Sequence, residues 1–352
     1  MIIREANLDD KQVWDSFVDK YNGNFNYYFD CRYIDVEEGI NQLIIETDTN
    51  QWVGICCFYK LKKRLYSLLR INGFLFRTDI TDGEKYTATR NILDYIEENH
   101  SSQCSTFFIQ EENALDSELI KPNPALIDHG FRFRNYAQQG FPCEHILPLK
   151  APFRENIWMG TWSQKLRQDL TKVAKSGVKI IQDQELKYLD IYIDMYKANY
   201  KRHKKQPPDR NRIINECNIF KNKIKFFIAC TNEEPVVILK CEYTRSTCYL
   251  SAIGSFTKGT SDANKLCYKA AIEDACNAGY QFADFGYSYT EGLAKLKDRF
   301  KFQRIPIKMY EKRYSFARVF LELTPGLINS CLRNPEHIKE NGKVILDRIL
   351  RW

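Results

Sequence analysis

The 352-residue sequence lacks most of the marks that place a protein quickly. No run approaches the roughly 18 apolar residues of a membrane-spanning helix, so no membrane span is expected. The opening Met1-Ile2-Ile3-Arg4-Glu5 has no h-region or cleavage site, so no secretory signal is expected there. There is no Cys-x-x-Cys, and the five histidines stand singly, so no zinc or other metal centre is expected. The 12 cysteines sit mostly inside apolar patterns, as at Cys56, Cys57, Cys230, Cys241, Cys267 and Cys276. That is how reduced, buried thiols are distributed, not a disulfide frame, and it leads to the expectation of a cytoplasmic protein. Gly-x-Gly-x-x-Gly, a phosphate loop ending in Gly-Lys-Ser/Thr, and His-Glu-x-x-His are all missing, which removes the ordinary dinucleotide, ATP and metalloprotease readings.

What is present is ample hydrophobic material and an uneven charge. Hydrophobic residues make up 44% and charged residues 28%, including 22 Phe, 21 Tyr and 5 Trp, enough for more than one core. The net charge of +7 hides a split: residues 1–150 hold 16 basic and 23 acidic side chains, residues 151–352 hold 36 and 22. An anionic partner is therefore expected to meet the second half.

An order of elements recurs. Period-two runs predict strands at 41–46, 52–59 and 64–71, then a helix at 84–99, a strand at 105–109, a short helix ending at Gly130 and a strand around His145–Leu149. The second half repeats this with strands at 224–230, 235–243 and 247–253, a helix at 262–278, a strand at 281–285, a short helix at 291–300 and a strand near 305–310. Identity between the halves is slight, so the echo is of architecture and predicts an internal duplication. Between them a helix is expected over 156–177, with Trp162, Leu166, Leu170 and Val173 on one face, followed by helices at 186–203 and 209–221 separated by Pro207-Pro208. The expected organisation is 1–150 and 151–312 as two similar units, with an amphipathic helical arm at 313–352.

The chemistry points to 247–301. The stretch from Gly254 to Asn264 is small and polar and leads into a helix N-terminus. Lys258, Gly259, Thr260, Ser261 and Asn264 are therefore candidates for an anion cradle, although an ordinary capped loop reads the same way. Strand 280–285 ends in Asp284-Phe285-Gly286-Tyr287, and Lys297 follows on a short helix whose Leu293, Leu296 and Phe300 have packing spacing. The run from Asn199 to Lys205, with Tyr200, Arg202 and His203, ends a helix, where cations offset the dipole. It reads either as solvated surface or as the rim of an acceptor site.

In these stretches the sequence resembles the GNAT acyltransferase fold, and within it the two-domain Fem-like peptidyltransferases and their acyltransferase relatives. The resemblance spans about residues 10 to 312 and rests on three marks. They are Lys165-Leu-Arg167 with the following Ala174-Lys-Ser-Gly177-Val178, Ala283-Asp284-Phe285-Gly286, and Leu296-Lys297-Asp-Arg-Phe300-Lys301. It implies an α/β (α+β) fold: two tandem GNAT-like domains, mixed sheets flanked by helices, and a C-terminal helical arm. The implied activity is transfer of an acyl or aminoacyl group to an amine of a cell-envelope precursor or amino sugar.

By the same resemblance Lys297 stabilises the developing oxyanion, Asp284 and Tyr287 orient the amine or relay its proton, and Lys165 and Arg167 hold a phosphate. Tyr200, Arg202, His203 and Lys301 complete the substrate-binding set. A leucine, Leu296, stands where the family has an aromatic, and the usual coenzyme A loop pattern has no clear match. No tightly bound cofactor is expected, and the donor stays open between a coenzyme A thioester and aminoacyl-tRNA. The anionic partner is equally a sugar nucleotide, a lipid phosphate, an acyl-CoA or tRNA. Two competing readings remain: an acyl-CoA-dependent small-molecule N-acetyltransferase, and a non-catalytic duplicated scaffold that binds an anion. Oligomeric state is not legible.

Overall fold

A computed structural model describes residues 1–34, 40–62, 67–100, 104–111, 122–135, 143–256 and 261–314. In chain order the strands of the first half are β1 (Ile2–Glu5), β2 (Asn41–Glu46), β3 (Trp52–Lys62), β4 (Ser67–Phe76), β5 (Cys104–Glu111), β6 (Arg132–Asn135) and β7 (Cys143–Pro148). Those of the second are β8 (Lys179–Asp183), β9 (Ile224–Thr231), β10 (Glu234–Tyr243), β11 (Thr247–Gly254), β12 (Phe282–Ser288), β13 (Gln303–Pro306) and β14 (Lys308–Arg313). The helices are α1 (Lys11–Lys20), α2 (Asp82–His100), α3 (Pro124–Asp128), α4 (Gln164–Lys175), α5 (Leu189–Arg202), α6 (Arg210–Ile219), α7 (Ser261–Asn277) and α8 (Glu291–Arg299).

The strands form two seven-stranded mixed sheets, ordered β1-β2-β3-β4-β5-β14-β6 and β8-β9-β10-β11-β12-β7-β13. Position by position these are one architecture used twice, as the element order in the sequence predicts. Each sheet has one parallel pair, β4 with β5 and β11 with β12, and each of these pairs is bridged by a long helix, α2 or α7.

The structure corrects the expectation for two strands. The strand expected to close the first unit, β7, pairs with β12 and β13 in the second sheet. The stretch expected as one strand near 305–310 is two: β13 ends at Pro306, which has no N–H for the ladder, and β14 crosses back to lie between β5 and β6. Each sheet thus holds a strand from the other half, so a cut at residue 150 divides the chain without dividing the sheets.

Packing joins the halves further. One apolar cluster lies under α2, with Leu69, Ile92, Phe107 and Leu126; another lies under α4 and α7, with Leu166, Leu170, Leu239, Ile272 and Phe285. The third is common property: Trp14, Phe17, Tyr28, Ile44 and Ile55 meet Tyr192, Ile213, Phe220, Phe226 and Ile238. Phe25 and Phe220 meet across it at a tilt, with centroids 4.5 Å apart. Burying side chains of this size stabilises by about 2–3 kcal/mol each, and here the benefit accrues only when both halves are present. All eleven cysteines of the described residues are buried.

The expected bridging helix over 156–177 is broken. A wide turn covers Arg154–Met159 and α4 starts only at Gln164, with Ser163 as N-cap accepting the Leu166 N–H at 3.3 Å. Among the described residues no helix is long and apolar enough to cross a membrane. The expected arm lies, from residue 315 onward, outside the described residues.

Candidate active site

The parallel strands β11 and β12 pair through three registers, Thr247↔Phe282, Cys248↔Ala283 and Tyr249↔Asp284, and then part. Both flanking ladders are disturbed at that level. Lys240 faces Ala252 while Cys241 faces Leu250, which leaves Ser251 as an extra residue in β11. On the other side the register slips between Asp284 and Tyr287, where Gly286 adopts φ +67°. Bulges bend a strand and turn main-chain groups out of the ladder, and these two open a wedge between β11 and β12.

Lys297 reaches this wedge from α8. The sequence reading put Leu293, Leu296 and Phe300 on the packed face with Lys297 beside it; instead the buried stripe is Ala294, Lys297 and Phe300, and Leu293 is exposed. Lys297 is only 3% exposed because its ammonium has polar partners inside: Nζ donates to the Gly286 and Tyr287 carbonyls, each at 2.9 Å, and stands 5.2 Å from the Phe285 ring centre. Burial pushes its pKa down to about 8, against the opposing pull of Asp284, Cys143 and Glu144. Asp284 is buried beside it, its Oδ1 accepting the Gly286 N–H at 2.6 Å. Burial raises its pKa to about 6; the Gly286 N–H, a hydrogen bond with Glu144 and the charge of Lys297 pull the other way.

Sequence reasoning missed the residues that β7 brings. His145 is fully buried, with Nδ1 3.4 Å from Ser288 Oγ and Nε2 3.8 Å from Asp298. Burial first, and then Lys297, hold its pKa at about 4, so it is neutral at pH 7. Nothing local in 143–148 signals that it crosses to the other sheet. Also missed was a buried charge cluster on β10 and α6: Lys240 pairs with Glu216 and, at 2.7 Å, with Glu242. Burial raises the Glu216 pKa, whereas Lys240 holds Glu242 below the usual range despite its burial. The signal available was two charges within an otherwise apolar strand run.

The other candidates scatter. Tyr287 accepts a hydrogen bond from the Gln110 amide of β5, tying the two sheets together. Arg167 spends Nη1 on the carbonyls of Trp158, Met159 and Trp162, each at 3.1 Å, which pins the turn ahead of α4. It lines an open groove of about 530 Å³ with Trp158, Lys172 and Lys175, while Lys165 is exposed outside that lining. Tyr200 bonds Tyr196 hydroxyl to hydroxyl at 3.1 Å, and His203 is exposed. Arg202 docks on the end of β11, its Nη2 donating to Ser255 O at 2.9 Å and Ser255 Oγ at 2.8 Å; its Nη1 is buried with no partner among the described residues. Asn264 Oδ1, in the first turns of α7, is orphaned likewise. Lys301 sits exposed just past α8 at φ +64°. Lys258, Gly259 and Thr260 lie outside the described residues, as does the side chain of Ser261.

No family model and no curated protein matches the sequence. Solved structures match the fold at low identity. FemX superposes with a TM-score of 0.70 at 12% identity, covering 89% of this chain and 98% of its own. L-PGS from Bacillus licheniformis gives 0.58 at 12%, covering 92% and 97%. A tandem GNAT protein from the clavulanic acid biosynthesis pathway gives 0.50 at 8%, covering 89% and 98%. The chain therefore carries a tandem GNAT fold of the kind found in FemX.

Proposed function

We propose that the chain transfers an acyl or aminoacyl group to a primary amine in the wedge between β11 and β12, with Lys297 stabilising the oxyanion. The observation that carries this reading is Lys297 itself, a buried ammonium aimed at the opened main chain of a bulged strand. Of its three N–H donors two hold the Gly286 and Tyr287 carbonyls, which fixes the direction of the third. The amine nitrogen attacks the acyl carbon, the C–N bond forms, and the carbonyl electron pair moves to an oxygen beside Nζ. Collapse then breaks the bond to the carrier's sulfur or oxygen. Asp284 receives the proton that the amine sheds; with a pKa of about 6 it is ionised at neutral pH yet basic enough to accept. A donor held this way needs no covalent enzyme intermediate.

Arg202 Nη1, a buried donor without a partner among the described residues beside the end of β11, supports seating the donor's phosphate there. A coenzyme A thioester and aminoacyl-tRNA both carry such a phosphate. The acceptor class that fits the family resemblance is an amine of a cell-envelope precursor or amino sugar. Arg167, Lys172 and Lys175 offer a second anion contact along their groove. The test is to incubate the purified chain with labelled acetyl-CoA or aminoacyl-tRNA and a panel of primary amines, beside Lys297→Ala. Turnover by the native chain that falls roughly 10²–10³-fold in the variant is the expected result; unchanged turnover rejects the role of Lys297.

A further inference from the structure

The end of the second sheet where the wedge opens carries more than the reacting groups need. β11 and β12 run parallel, so both strands finish at the same end of the sheet. Just past these strand ends stand Phe256, 51% exposed, and Tyr289, 70% exposed, with Leu293, 42% exposed, on the first turn of α8. Single exposed apolar residues are ordinary, but these three rim one end of one sheet. The α5 terminus is fixed at the same place by Asn199 on the Ile253 carbonyl and Arg202 on Ser255. It presents Lys201, Lys204 and Lys205, all exposed and none in an ion pair among the described residues. The carboxylates nearby, Asp262 and Glu291, are already paired with Lys265 and Arg304. The matching end of the first sheet, after β4, carries exposed Asp79, Asp82 and Glu84 instead, so the basic rim is not inherent in the architecture.

We infer that this end of the second sheet docks on the surface of an anionic lipid bilayer. Aromatic rings and a leucine enter the headgroup layer, where amphipathic rings prefer to sit. The lysines meet the negative surface potential, each contributing about a fivefold gain in binding. RNA is the other polyanion with appetite for such a surface, but bases stack on paired aromatic or guanidinium planes. Here the cations at the rim are mainly lysines, and Leu293 offers a base nothing. On the transfer reading, on which this last step alone rests, docking presents an amine-bearing lipid headgroup to the wedge.

The experiment is sedimentation of the full chain with vesicles of phosphatidylcholine alone and with phosphatidylglycerol added. Binding is expected only with the anionic vesicles. Lys201→Glu, Lys204→Glu and Lys205→Glu together should weaken it at least tenfold, as should Phe256→Ser with Tyr289→Ser. Reversal of Lys150, Lys187 and Lys221, exposed at the opposite end of that sheet, should change it less than about twofold. Three results would overturn the inference: no binding to anionic vesicles, equal loss from the control triple, or retention of a single-stranded RNA with vesicles failing to compete. No turnover is measured, so this outcome is independent of the role of Lys297.

Discussion

The two sheets invite comparison at corresponding positions, because one strand order serves both. In the first, β5 and β14 run through six registers without a slip. In the second, the equivalent ladder of β12 and β7 carries one extra residue, Gly286. Below that point Asp284, opposite Ile146, corresponds to Phe108, opposite Glu311. His145 lies across from Arg304 as Tyr310 lies across from Phe133. Lys301 and Gly130 are both left-handed, each precedes a buried phenylalanine, and the same spacing sets Lys297 against Leu126, which is fully buried. The polar cluster of one sheet is therefore Leu, Phe and Tyr in the other. In one copy the β5–β14 ladder is continuous over its length; in the other the corresponding ladder is interrupted where an ammonium is buried against main-chain carbonyls. A fold that contains its own apolar control separates what the architecture requires from what the chemistry requires.

The comparison assumes two similar units, and the strongest way to break it is to part them. Residues 1–150 and 151–352 expressed separately should both fail to fold, since each sheet would lack an interior strand, β14 in the first and β7 in the second, and the shared core around Phe220 would be exposed. Mixed from denaturant, the two fragments should recover native circular dichroism together. A stable, monomeric fragment alone would show that the exchange of β7 and β14 is dispensable.

Next in size is to exchange the corresponding residues. Lys297→Leu should cost roughly 10²–10³-fold in turnover. Its stability in urea should change by no more than about 2 kcal/mol, because a buried charge and two hydrogen bonds disappear together. Leu126→Lys should destabilise by about 3–5 kcal/mol, since the unbroken first ladder offers no free carbonyls to a buried ammonium. Equal stability losses from both substitutions would mean that the second sheet is not specially adapted to the lysine.

A smaller effect is expected in pH dependence, and only from the second sheet. On the proposed mechanism Asp284 is ionised and Lys297 protonated, so kcat/KM should rise tenfold per unit below about pH 6 and fall above about pH 8. Asp284→Asn should erase the acidic limb. Stability carries the opposite signs. The raised Asp284 pKa means folding binds a proton between the unfolded value of 3.8 and about 6, so its contribution declines as pH rises through that window. The lowered Lys297 pKa penalises the fold fully below about 8, and that penalty fades as pH rises toward 10.5. The apolar trio of the first sheet adds neither limb, so both should vanish in the double variant Asp284→Asn, Lys297→Leu.

How far the sequence shows this difference depends on the physics involved. Strands such as Asn41–Glu46 and Ile224–Thr231 are legible because burial of one or both faces is written in their own residues. The crossing of β7 and β14 is not, since a short strand carries its face but not its partner. Lys297 was legible as a candidate and illegible in its orientation. Leucines at 293 and 296 outweigh Ala294 in a periodicity count, and only the carbonyls of another segment make a lysine the inward residue. Lys240 and Glu242 were hidden for the same reason, their compensation coming from Glu216 on a helix distant in sequence.

Gly286 sets the smallest expected effect and the sharpest contrast. An added Cβ would meet nothing within 4 Å, so space is not the obstacle; the backbone at φ +67° is. A left-handed residue with a side chain costs roughly 1–2 kcal/mol, and Gly286→Ala can relieve that strain only by drawing the strand back toward the continuous form of β5. That movement carries the Gly286 carbonyl away from Lys297 and the N–H away from Asp284. Turnover should therefore fall several-fold while the urea midpoint shifts only slightly, and the basic limb near pH 8 should move as the ammonium loses an acceptor. Gly130→Ala, left-handed at φ +88° in the first sheet, should cost the same stability with no change in either limb. If both glycines cost stability alike and neither touches turnover, the bulge is a turn like any other, and the case for the wedge as the reacting centre fails with it.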